Sequence, residues 1–85
     1  MKNATYILRI KCPDAYGIVA KVSTSLNDMN IFIMDSSFFS DPETKTYFMR
    51  LKIFSRKGEI EFSNFSNAFE EACSDLKMEW TLENE

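Results

Sequence analysis

Histidine is missing from this 85-residue sequence. Its absence removes the commonest general acid–base, the imidazole that activates serine and cysteine nucleophiles, and the metal triads built on it. Glycine occurs only twice, at Gly17 and Gly58, too few for a loop that cradles phosphates. The two cysteines, Cys12 and Cys73, lack zinc-ligand spacing and are read as buried, reduced thiols suited to the cytoplasm. No apolar run approaches the roughly 20 residues of a membrane span. The N-terminus passes directly into a strand pattern, so no signal peptide is expected. Basic residues are not in excess either: 10 Lys and Arg face 13 Asp and Glu, a net charge of −3. That balance argues against a nucleic-acid groove or a polybasic membrane contact.

What is present is apolar and aromatic. The chain is 45% hydrophobic and 14% aromatic, with eight Phe, enough for the core of one domain. Thr5 to Cys12 alternates, with Tyr6, Leu8, Ile10 and Cys12 on one face and Ile7, Arg9 and Lys11 on the other, a half-buried strand. Pro13 cannot donate to a sheet ladder and stops it. Val19, Val22, Leu26 and Met29 then recur at helical spacing, and Asn30 is a usable left-handed stop. Ile31 to Ser40 is extended, but its alternation is blurred by Ser36-Ser37 and Phe38-Phe39, so its inner face stays open, as does the presence of a bulge.

Asp41-Pro42 marks a turn, and Thr46 to Phe54 alternates cleanly, completing a hairpin. The second helix carries Phe62, Phe65, Phe69, Ala72, Cys73 and Leu76 on one stripe, with Glu70, Glu71 and Asp75 toward water. Met78, Trp80 and Leu82 form a short last strand. Strand, helix, strand, strand, helix, strand predicts an α+β, ferredoxin-like βαββαβ sandwich: a four-stranded antiparallel sheet with two helices on one face. The uncovered face would then carry Ile7, Arg9, Lys11, Phe48, Arg50 and Lys52, with Glu79 and Glu83 alongside.

The carboxylates lie on predicted solvent faces with no apolar pocket to raise a pKa. We read the chain as a binding or regulatory module with no catalytic, cofactor or metal site of its own. The stretch around Pro13 is the candidate for a ligand. Asp14 serves as a helix N-cap or touches the ligand directly. Gly17 permits close helix packing or ligand access, and amides opening a helix suit an anion. RNA-recognition domains share this fold but carry a glycine-containing aromatic motif on the third strand, which reads here Thr46-Tyr47-Phe48-Met49-Arg50-Leu51-Lys52-Ile53-Phe54.

Cys12-Pro13-Asp14 followed by Gly17-Ile18-Val19 resembles the opening of ACT domains, small ferredoxin-like modules that bind amino acids and regulate attached enzymes. Phe39 to Thr44 with Tyr47-Phe48-Met49-Arg50, and the ending Met78-Glu79-Trp80-Thr81-Leu82, look like the N-terminal ACT domain of formyltetrahydrofolate deformylases. The resemblance implies that residues 1–85 are one ACT domain whose formyltransferase-like catalytic domain, with its Asn, His and Asp, lies outside this chain. The family hydrolyses 10-formyltetrahydrofolate to formate and tetrahydrofolate in one-carbon and purine metabolism, with glycine and methionine as associated effectors. The apolar Ile7 and Phe48 on the uncovered face and a long second strand at the sheet edge predict a homodimer, and the amides around Tyr16, Gly17 and Ile18, with Asp14 for an ammonium and Phe32 at the entry to the second strand, are the expected effector site. Phe32 stands where ACT domains commonly carry Asn, and a phenyl ring cannot make that side chain's hydrogen bonds. A stand-alone amino-acid-binding ACT protein and a purely structural dimerisation module are the alternatives.

Overall fold

The computed structural model describes residues 5–13, 17–56 and 58–84. The period-two stretch forms β1 (Thr5–Pro13), with Pro13 as its last residue. There a missing amide hydrogen costs least. The elements that follow are α1 (Ile18–Asp28), β2 (Ile31–Asp41), β3 (Thr46–Ser55), α2 (Phe62–Ala72), a 3₁₀ turn at Ser74–Leu76 and β4 (Glu79–Asn84). The strands make one sheet in the order β2-β3-β1-β4, antiparallel throughout, as the ferredoxin-like expectation requires.

The core lies between the sheet and the helices. Leu8, Ile10 and Cys12 of β1 and Met49, Leu51 and Ile53 of β3 meet Ile18, Val22 and Leu26 of α1 and Phe65 and Phe69 of α2. Phe69 is 0% exposed; its ring stacks on Phe65 at 5.2 Å and meets Trp80 of β4 edge-on at 5.4 Å, a favoured aromatic geometry. The Tyr6 hydroxyl accepts the Ile60 amide at 2.9 Å, tying the start of β1 to the entry of α2. Asn30 ends the first helix at φ 61, in the left-handed conformation that asparagine tolerates. At the hairpin the Asp41 carboxylate accepts the Glu43 amide at 3.1 Å and the Thr44 hydroxyl at 3.0 Å, an Asx-type closure.

Three helix-face expectations are corrected. Val19 is exposed, and Ile18 fills the first core position instead, because the buried stripe of α1 runs Ile18, Val22, Ser25 and Leu26 and leaves Val19 at its side. Phe62 is also exposed; at the first turn of α2 it lies over Trp80, centroids 5.7 Å apart. Ala72, the last α2 residue, faces solvent, while the chain tightens into the 3₁₀ turn that seats Leu76.

Substituting Phe69→Ala should cost about 3–5 kcal/mol of unfolding free energy, read as a shift of the urea midpoint. Phe39→Ala, at a ring 63% exposed, should stay within about 0.5 kcal/mol. Equal losses for the two would contradict this placement of the core.

Candidate functional site

The loop after β1 was the expected site, and the structure places its parts as follows. Asp14 and Tyr16 lie outside the described residues. Gly17 occupies the N-cap of α1 at φ 79, a left-handed conformation that suits glycine. This corrects the reading of Asp14 as N-cap, since the helix opens three residues later. A Cβ built on Gly17 would meet nothing within 4 Å, so tight helix–strand packing does not require glycine here. The left-handed backbone conformation does. The helical ladder starts where the Lys21 amide donates to the Gly17 carbonyl at 2.9 Å. The amides of Gly17, Ile18, Val19 and Ala20 therefore precede any helical acceptor.

Phe32 is at the opposite end of the sheet. It pairs in register with Phe54, itself opposite Thr5 at the start of β1, whereas Gly17 follows the end of β1. Within one chain Ile18 and Gly17 come together and Phe32 does not join them. Its ring is 51% exposed, on the uncovered face, with the Arg56 guanidinium 5.6 Å from its centroid.

A bulge at Met34 settles the second strand. The β2–β3 register shifts between Ile33 and Asp35, so Ile31 and Ile33 share the core face with Ile53, while Ser37 and Phe39 turn to the open face. Blurred alternation was the sequence signal of that extra residue. Phe38 shares the helix side with Met49 yet is 48% exposed, stacked on Tyr47 at 6.3 Å.

The open face is ordered in rows. One row runs Phe39, Phe48, Lys11, Glu79; the next Ser37, Arg50, Arg9, Thr81; the next Asp35, Lys52, Ile7, Glu83. The basic strip read from the sequence is thus real and acids flank it, with Arg9 paired to Glu83. Ile7 corrects the expectation of exposed apolar surface: it is only 7% exposed, being on a central strand between the long Lys52 and Glu83 side chains. A shallow groove of about 530 Å³ crosses this face, lined among others by Arg9, Lys11, Phe39, Phe48 and Arg50.

Titration is perturbed elsewhere. The hydrogen bond from Lys21 of α1 holds the exposed Asp75 carboxyl below its usual range. Burial pushes the Cys73 thiol up, with Lys21 partly opposing. Cys12 and Cys73 are both buried thiols. Among the described residues no three Cys, Asp or Glu converge on a metal position, and no helix is long and apolar enough to cross a membrane.

No family model matches the chain, and no curated protein matches it by sequence. Solved structures do. A formyltetrahydrofolate deformylase from Pseudomonas syringae pv. tomato aligns at TM-score 0.81 and 36% identity over 92% of this chain and 26% of its own. One from Pseudomonas putida aligns at 0.85 and 21% identity, over 95% of this chain and 29% of its own. An ACT domain protein from Streptococcus pneumoniae gives 0.79 and 22% identity, over 96% of this chain and 90% of its own. The fold is that of an ACT domain. This ACT domain spans under a third of the deformylase chains that it matches.

The raised Cys73 pKa has a pH consequence. Above the ordinary thiol value of 9.0 the unfolded chain releases this proton while the folded chain keeps it, so stability falls as pH rises. The urea midpoint should therefore drop more steeply between about pH 8 and about pH 10 in the native sequence than in Cys73→Ala. Parallel curves would show that the thiol titrates alike in both states.

Proposed function

We propose that this chain is the regulatory and dimerisation ACT domain of a formyltetrahydrofolate deformylase, with catalysis in a separate formyltransferase-like domain of the same polypeptide. The alignment at 36% identity over 92% of the chain carries the reading. The lack of histidine supports placing proton-transfer chemistry elsewhere. A stand-alone regulatory protein is the second reading, favoured by the 90% coverage of the pneumococcal ACT protein. The coding sequence beyond Glu85 decides between them: a formyltransferase-like Asn, His and Asp set supports the first, a stop codon the second.

The regulatory role rests on self-association through β2. This edge strand runs 11 residues, nearly all exposed, and displays Phe32, Met34, Phe38 and Phe39. It contains neither proline nor lysine, two of the protections of an edge against pairing, and the seven residues after the Met34 bulge pair with β3 in unbroken register. Antiparallel pairing of two β2 edges would bring the Phe32 end of one copy beside the Asp41 end of the other. That arrangement places the second copy's Phe32 at the same end of the joined sheet as Gly17, the end where one chain lacks it.

Sedimentation should show a dimer at micromolar concentration, converted to monomer by Phe38→Lys together with a proline at Ser37. A native monomer at all concentrations would remove the edge-pairing reading.

The effector site is tested by titrating glycine and methionine while following backbone amide resonances. A carboxylate seated on the Ile18 amides should shift residues 17–20 and the start of β2 together, in dimer but not in monomer. Gly17→Val, strained at φ 79, should abolish those shifts with the α2 resonances unmoved. Saturable shifts elsewhere would exclude this site, and none at all would leave the domain a structural dimerisation module.

A further inference from the structure

The open face of the sheet holds a charge arrangement that edge pairing and the Gly17 loop leave unused. Arg9 and Arg50 stand directly opposite each other on the two central strands, an arrangement that destabilises a sheet unless something neutralises it. Arg9 leans to Glu83 in the neighbouring row. Arg50 has no carboxylate in its own row, only Ser37 and Thr81 at the two ends, and makes no ion pair among the described residues. One row along, about 7 Å away by strand geometry, Phe39 and Phe48 lie with centroids 6.0 Å apart. Phe39 is the most exposed of the large hydrophobic side chains, and Lys11 is in the same row.

We propose that this groove binds a compact aromatic anion. Its ring lies on Phe39 and Phe48; its carboxylate or phosphate, about 7 Å distant, meets Arg50 and Arg9 and accepts a hydrogen bond from the Ser37 hydroxyl on the strand beside Arg50. The groove volume of about 530 Å³ suits a ligand of this size. Charge selects against the larger occupants. Glu79 and Glu83 border the basic strip on one side and Asp35 on the other, so a nucleic-acid backbone crossing the sheet would run into carboxylates. A second copy stacked face to face about a two-fold axis, strands aligned, lays basic central strands over basic central strands.

Adenosine 5′-monophosphate and 3-(indol-3-yl)propionate serve as phosphate and carboxylate probes, with adenosine and inorganic phosphate as controls that each lack one half of the recognition. Heteronuclear titration should give saturable shifts at Ser37, Phe39, Phe48 and Arg50 with at least one aromatic anion, and the stronger probe identifies the acid group preferred. Adenosine and inorganic phosphate should bind about tenfold more weakly or not at all. Arg50→Gln and Phe39→Ala, both at exposed positions, should each weaken binding about tenfold or more while the core resonances stay in place. No saturable shift with either anion up to several millimolar overturns the proposal. So does unchanged binding in Arg50→Gln, or affinity for single-stranded oligonucleotides that grows with their length. Self-association abolished by Arg50→Glu would instead make the face an interface between copies and equally overturn it.

Discussion

Two helices cover one face of this sheet and leave the other bare, and every other property follows from that one-sided burial. Because side chains alternate across a strand, the covered face must be apolar at every second position of the central strands. Leu8, Leu51 and Ile53, each 2% exposed or less, meet that demand. The intervening positions are released from it. They carry Phe48 and the charged Arg9, Lys11, Arg50 and Lys52, and those four charges could not be buried unpaired without a large cost.

The same constraint explains where apolar surface escapes the core. β1 and β3 are flanked on both sides, so even Ile7 on the bare face is shielded by its neighbours. β2 is at the edge, paired only with β3, and after the Met34 bulge its Phe38 and Phe39 are solvent-exposed on opposite faces. Exposed rings beside unpaired backbone groups favour a partner strand, and Phe39 lies one row from Arg50, which has no ion pair among the described residues. Strand alternation puts one ring on each face, and the register after the bulge decides which.

Much of this was legible in the residues. Clean alternation in β1 and β3, the Asp41-Pro42 turn, the Asn30 stop and the Phe65–Phe69 spacing are local signals, each set by backbone stereochemistry or by a period of two or 3.6. They determined the element order, and the element order constrained the topology because crossovers are right-handed and hairpins pair in sequence. The basic strip followed from parity alone. What only the tertiary structure decided depends on neighbours distant in the chain. The facing of Ser37 and Phe39 was set by a register shift against β3. The shielding of Ile7 was set by strands on both sides, and the exposure of Phe62 by where α2 begins over Trp80. Gly17 stood out as a candidate in the sequence, but its left-handed cap and the open space above it did not, since φ at one residue depends on how the flanking strand and helix are docked. The separation of Phe32 from Gly17 was the least legible of all: a motif read along the chain carries no distance, and the length of β1 sets one.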